Sequence, residues 1–175
     1  MSGNISGNPL KCNLDPLLRY PDSMKSLSHP QDCQEILTRL AQIRPTTPRR
    51  WGKMTAPQMI CHLRDSFLSV MGEMPVSPAH SLFWRVMKWG ALYAPAPWPK
   101  GVPTRPELDQ AAGAGTPPAV FDADLHSLIA TVERFVSQPR DFEFQPHPLF
   151  GHMSEKQWMR WGYLHTDHHL RQFGK

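Results

Sequence analysis

The stretch WMRWGYLHTDHHLRQF, Trp158–Phe173, decides the fold and the candidate chemistry of this chain. In a helix, side chains three or four residues apart lie within about 40–60° of one another around the axis. His165 and His169 are such a pair, and two imidazoles one turn apart can bind one metal ion. The pattern therefore predicts a metal-competent patch on an inward helix face. That face consists of Trp158, Trp161, Gly162, His165, His169 and Gln172.

Signals at both ends of the stretch support a helix. Ser154 and Gln157 have the spacing of a capping box, in which each side chain satisfies a backbone amide of the first turn. Arg171 and Lys175 place positive charge near the C-terminal end, where the helix dipole favours it, and Gly174 offers a stop. The sequence therefore predicts a final helix that begins after Ser154.

A third metal ligand is needed, because a catalytic zinc usually has three protein ligands and one open position. Thr55 is predicted to cap a helix that runs from Ala56 to about Met71. His62 lies on a narrow polar edge of this helix, beside its apolar face. Apart from His126, it is the only histidine in a well-predicted helix outside the last one that borders a core face. We therefore take His62 as the third ligand.

Two further segments have the helical spacing of apolar residues, Gln31–Ile43 and Phe121–Ser137, the latter predicted to be capped near Asp122. Ser77–Tyr93 is predicted to be a helix or a broken helix, whose large apolar side chains must pack over the helices or against a second subunit. The segment 94–118 is rich in proline and glycine and is predicted to be an extended loop. Four long amphipathic helices without strand alternation predict an all-α four-helix bundle, with this loop between the second and third long helices.

The length of 175 residues predicts a single domain with one core. Residues 1–29 hold mostly Gly, Asn, Ser and Pro and are predicted to be a largely unstructured N-terminal arm. Residues 30–175 then form the domain.

Charge and cysteine usage exclude several classes of protein. The net charge of +4 comes from scattered Lys and Arg without a basic run, which argues against nucleic-acid binding. No apolar stretch approaches the roughly 20 residues needed to cross a bilayer, and no signal-peptide pattern opens the chain. The three cysteines are widely spaced and odd in number, which argues against a disulfide framework and for a reducing compartment. A cytoplasmic location is predicted.

For several side chains near the candidate ligands, the sequence allows two predictions. Asp65, one turn after His62, is predicted to accept the second N–H of a ligand imidazole or else to be a surface carboxylate, and Gln172 is predicted to orient a ligand in the same way. His168 lies about 100° around the helix from His169 and is predicted to face solvent or a neighbour. The other histidines, His80, His126, His147 and His152, are predicted to be structural or exposed, and Cys61 to fill the core.

Two motifs resemble the DinB-like superfamily. They are MTAPQMICHL at 54–63 and HTDHHLRQF at 165–173, and the WGKM at 51–54 and PLFG at 148–151 look like an uncharacterised, domain-of-unknown-function branch of it. The resemblance covers roughly residues 31–174. It implies a four-helix bundle with a divalent metal on His62, His165 and His169. Characterised members of the superfamily include thiol S-transferases and a maleylpyruvate isomerase that use low-molecular-weight thiols, and many members are dimers.

The expected chemistry follows from an open three-histidine site. Three neutral imidazoles leave a divalent metal its full charge and an exchangeable position, and Zn, Ni, Fe and Mn all suit such ligands. No Glu stands in an H-E-x-x-H arrangement, so transfer or isomerisation is favoured over peptide hydrolysis. We expect a metal-dependent enzyme, thiol S-transferase-like, that is a homodimer acting on a small molecule such as a low-molecular-weight thiol. The alternative is a non-catalytic binding or assembly module that uses the Phe83–Leu92 surface.

Overall fold

The computed structural model describes residues 24–79 and 81–175 of the chain. Within these residues the protein is all-α, as predicted, with five α-helices and no β-strand. The helices are α1 (Pro30–Leu40), α2 (Ala56–Val70), α3 (Leu82–Tyr93), α4 (Phe121–Val136) and α5 (Glu155–Gln172).

The helix faces follow the apolar periodicity of the sequence. Both predicted capping residues are present, since Thr55 forms a capping box with Gln58 and Ser154 forms one with Gln157. The N-cap of α4 is Val120, two residues before Asp122, and its side chain makes no capping hydrogen bond. The apolar faces of the three helices α1, α2 and α4 are buried as predicted. Their members include Ile36, Leu37, Leu40, Met59, Leu63, Phe67, Leu128, Val132 and Phe135.

Four helices contact one another in a closed order. α2 packs most extensively against α4, α4 contacts α1, α1 contacts α5, and α5 contacts α2. α3 lies outside this ring and touches α5. The predicted loop 94–118 is not fully extended, because it contains two 3-10 turns, Pro106–Leu108 and Gln110–Ala112, that pack back on α2. This return of the loop brings backbone groups close to the candidate ligand on α2.

The segment 24–29, which the sequence placed in the N-terminal arm, packs against α5. Leu27 is fully buried and its backbone N–H donates to the carbonyl of Met159 at 3.1 Å. Residues 1–23 of the predicted arm lie outside the described residues. The side chain of Leu27 explains Gly162 on α5, because a Cβ built there would lie 2.7 Å from Leu27 Cδ1 and 3.3 Å from a ring carbon of Phe67.

We expect Gly162→Ala to destabilise the domain by about 1–3 kcal/mol, because the added methyl group overpacks the seam between α5 and Leu27. Gly90→Ala is the matched control, since a Cβ at this position of α3 meets no atom within 4 Å. That change should stabilise the domain by about 0.5–1 kcal/mol through helix propensity alone. Urea denaturation of both variants measures the difference, and equal effects of the two would contradict the packing argument.

α3 displays an apolar surface to solvent. Leu82, Phe83, Val86 and Trp89 are each more than 60% exposed, whereas Leu92 is fully buried.

No helix in the described part of the chain is long and apolar enough to cross a membrane. The cytoplasmic location stays a prediction.

Candidate metal centre

Three imidazoles from two helices converge below the loop 94–118. His62 comes from the middle of α2, and His165 and His169 come from successive turns of α5. One potential ligand atom from each lies within 4.8 Å of the other two. The ring centroids of His62 and His169 are 4.7 Å apart, and those of His165 and His169 are 4.8 Å apart. The structure therefore brings together the three residues that the sequence singled out, in a cluster able to hold a metal ion.

Hydrogen bonds fix which ring nitrogens face the centre. His62 Nδ1 lies 2.8 Å from the carbonyl oxygen of Leu108, and His169 Nδ1 lies 2.8 Å from Gln172 Oε1. Both partners are acceptors, so each Nδ1 carries a hydrogen and donates it. The Nε2 atoms of His62 and His169 then keep their lone pairs, which is the state that a metal ligand requires. Gln172 thus has the orienting position that the sequence predicted.

Asp65 does not have the predicted position beside a ligand. Its fully buried carboxylate accepts hydrogen bonds from Gln110 Nε2 at 2.8 Å and from the backbone N–H and hydroxyl of Thr116 at 2.7 and 2.9 Å. The second N–H of His62 goes to Leu108 instead. Asp65 therefore does not contact a ligand imidazole. It holds the loop that carries the Leu108 carbonyl against α2, and this carbonyl in turn contacts His62. The alternative prediction, that Asp65 is a surface carboxylate, is also wrong, because the residue is fully buried.

The geometry of the α5 pair fits a bound ion. His165 Nε2 and His169 Nε2 lie 3.2 Å apart. Two nitrogens that are each about 2.0–2.1 Å from a tetrahedral ion lie about 3.3 Å apart, so the pair already has the spacing of two ligands. His165 Nδ1 is buried without a hydrogen-bond partner, so no hydrogen bond orients this ring as Leu108 and Gln172 orient the other two.

Burial keeps the three imidazoles neutral. Desolvation lowers the pKa of His62, and it lowers the pKa of His165 and of His169 well below 6.5, with the neighbouring histidines adding to the effect on the last two. A neutral imidazole is the form that binds a metal. The cluster is therefore ready for a cation near neutral pH without first releasing protons.

The centre opens into a cavity of about 590 Å³. Its walls include two tryptophans that approach the ligands, Trp161 with its ring centroid 4.9 Å from that of His165 and Trp98 at 6.0 Å on the loop. His168 also lines it, 4% exposed, between Trp98 and Trp51. Of the two predicted surroundings of His168, the structure shows the neighbour and not solvent.

Comparison with known proteins assigns a family. The sequence model of a family described as "Protein of unknown function (DUF1569)" matches residues 23–175. The chain belongs to the DUF1569 family. No curated protein and no solved structure matches the chain. The family match spans all three histidines of the centre, so the centre lies within the DUF1569 domain.

Two other groups beside the centre have structural roles. His147 Nδ1 accepts hydrogen bonds from the backbone N–H groups of Leu149 and Phe150 at 3.1 and 3.2 Å, so it holds the turn before α5. Burial raises the pKa of the free, buried Cys61 thiol to about 11. Cys61 is therefore a protonated core side chain, as predicted, and the DUF1569 domain supplies no reactive thiol there.

We expect the half-buried His147 to make the stability of the domain fall on acidification. Burial lowers its pKa from 6.5 to about 3. Between these values the unfolded chain binds a proton that the folded domain excludes, so the free energy of unfolding falls by up to about 1.4 kcal/mol for each pH unit below 6.5. Urea denaturation of metal-stripped protein at pH 6.5 and 4.5 measures the slope.

His147→Asn isolates this contribution, because the asparagine side-chain oxygen keeps an acceptor for the two backbone N–H groups but does not titrate. The pH slope of the variant should be smaller than that of the wild type by up to about 1.4 kcal/mol per pH unit. His152→Asn, the same change at an exposed position, is the control. Equal slopes in the wild type and His147→Asn would contradict the prediction.

Proposed function

We propose that the DUF1569 domain is a DinB-like four-helix bundle that holds one divalent metal ion on His62, His165 and His169. The closed contact order of α1, α4, α2 and α5 supports the bundle. The observation that carries the metal site is the convergence of the three rings, of which His62 and His169 are buried and His165 is half-buried, with the Nδ1 atoms of His62 and His169 engaged elsewhere. Zn, Ni, Fe and Mn are the candidate ions.

We propose further that the protein is a metal-dependent enzyme acting on a small molecule, of the thiol S-transferase type. When bound, a divalent metal supplies Lewis-acid chemistry that lowers the pKa of a thiol or a water at neutral pH. The chain itself provides a cavity large enough for a small molecule beside the ligands, with Trp98 and Trp161 as apolar walls that limit water. Because the Cys61 thiol is buried and protonated, the reacting thiol is that of a substrate.

Elemental analysis of protein purified without a histidine tag tests the metal site, and the expected result is one ion per chain. The activity is tested by loading separate samples with Zn, Ni, Fe or Mn and measuring the conjugation of N-acetylcysteine to 1-chloro-2,4-dinitrobenzene, which forms a thioether and releases chloride. We expect at least one loaded form to be faster than metal-stripped protein. If the protein binds metal but no loaded form is faster than metal-stripped protein, the metal site stands and the transferase assignment is wrong.

The second candidate function is a non-catalytic binding or assembly module. It is supported by the apolar surface of α3, on which Leu82, Phe83, Val86 and Trp89 are exposed. We propose that this surface joins two copies into a homodimer in either case. Light scattering on the wild type and on Trp89→Ser tests the dimer, since the variant should be monomeric. A purified wild type that is folded but binds none of the four metals would favour the module over the enzyme.

A further inference from the structure

Several residues that line the cavity have a buried polar atom without a hydrogen-bond partner. In the described residues seven such side-chain atoms occur, and four of them belong to residues that line this cavity. They are Trp51 Nε1, Arg105 Nε, His165 Nδ1 and His168 Nδ1. Folded proteins leave few buried polar groups unpaired, because an unpaired donor loses its hydrogen bond to water. Arg105 Nε lies 3.7 Å from Glu107 Oε2, and the Nδ1 of a neutral histidine can donate or accept, whereas the indole Nε1 of Trp51 can only donate, so this unpaired N–H points to an acceptor on a ligand.

Two of these residues stand together next to the metal ligands. The ring centroid of His168 lies 6.3 Å from that of Trp51 and 5.3 Å from that of His169. The indole N–H of Trp51 can only donate. Lys100 adds a second donor, with its ammonium 5.0 Å from the Trp51 ring centroid. These two donors lie beside His168, at the side of the three-histidine centre.

The charge of the lining selects an anion over a neutral acceptor. Lys53, Lys100 and Arg105 line the cavity, against a single carboxylate, that of Asp109. Arg105 lies 3.7 Å from Glu107, which offsets part of its charge. Lys100 is held over an aromatic face, a contact that leaves its three N–H donors available for a ligand.

We infer that Trp51 and Lys100 bind the carboxylate of an anionic small molecule whose reacting end reaches the three-histidine centre. This inference rests on the proposed function, because it names the substrate class of the same site. Lys100 supplies the counter-charge, and the indole N–H of Trp51 donates to a carboxylate oxygen. The substrate class is thus a small molecule that carries a carboxylate at one end.

Two thiols that differ by one carboxylate test the subsite. N-acetylcysteine carries the group and N-acetylcysteamine lacks it. Calorimetric titration of each into zinc-loaded protein gives two Kd values, and their ratio within one variant is the readout. In the wild type we expect N-acetylcysteine to bind about tenfold more tightly, as for a charge-assisted hydrogen bond. The ratio should fall below about threefold in Lys100→Gln and in Trp51→Phe.

Lys88→Gln is the matched control, since Lys88 lies on α3 outside the cavity and donates to the carbonyl of His152. A ratio near one in the wild type overturns the inference. So does a high ratio that Lys100→Gln and Trp51→Phe leave unchanged, because the carboxylate would then be bound at the metal itself. If zinc does not bind, the proposed function fails. The ratio of the two Kd values is then measured on the zinc-free protein. A ratio near one, or a high ratio that neither Lys100→Gln nor Trp51→Phe lowers, would again overturn the subsite.

Discussion

His62→Ala protein should bind a divalent metal at least about 100-fold more weakly than the wild type. Replacing an outer partner of a ligand already weakens metal binding by about 10–100-fold, and here a ligand itself is removed. The two remaining imidazoles, His165 and His169, come from one helix and hold the ion from one side only. Competition with a chromophoric zinc chelator measures the Kd of each protein.

A graded series separates loss of a ligand from loss of fold. Gln172→Ala removes only the acceptor of His169 Nδ1 and should weaken zinc binding by about 10–100-fold. His126→Ala, at an exposed position of α4, should leave the Kd unchanged. Circular dichroism of the metal-stripped variants checks that each remains helical. A His62→Ala protein that is helical and binds zinc as tightly as the wild type would remove His62 from the centre.

Phe67→Ala should cost about 3–5 kcal/mol of the free energy of unfolding, the largest stability change expected here. The side chain is fully buried, and its ring centroid lies 4.8 Å from that of Phe135 and 5.6 Å from that of Trp161. Its removal leaves a cavity between α2, α4 and α5 that the neighbouring aromatic rings cannot fill. Urea denaturation of the metal-stripped proteins gives the value.

Phe83→Ala is the matched control for this change. Phe83 is 62% exposed on α3, so the same truncation should alter the free energy of unfolding by no more than about 0.5 kcal/mol. These measurements belong in dilute samples, because dimer formation through α3 would add to the effect of Phe83→Ala. A cost below about 1 kcal/mol for Phe67→Ala would show that the core is packed less tightly than the ring distances indicate.

Much of the helical structure could be predicted because its signals are local. The apolar positions of α1, α2 and α4 recur at the helical period, and the capping residues Thr55 and Ser154 stand within three residues of their partners. The same period predicted that His165 and His169 share a face. Predictions of this kind depend on the backbone geometry of a single helix, which repeats along the sequence.

The sequence by itself determined the helices, their buried faces and the three histidines able to meet. Only the tertiary structure decided what surrounds them, namely the Leu108 carbonyl on His62, the bonds of Asp65 to Gln110 and Thr116, and the burial of His168. The physical reason is the path of the loop 94–118. Its proline-rich sequence has no period, and its two 3-10 turns are held against α2 by hydrogen bonds between groups about 50 residues apart, which no local pattern can specify.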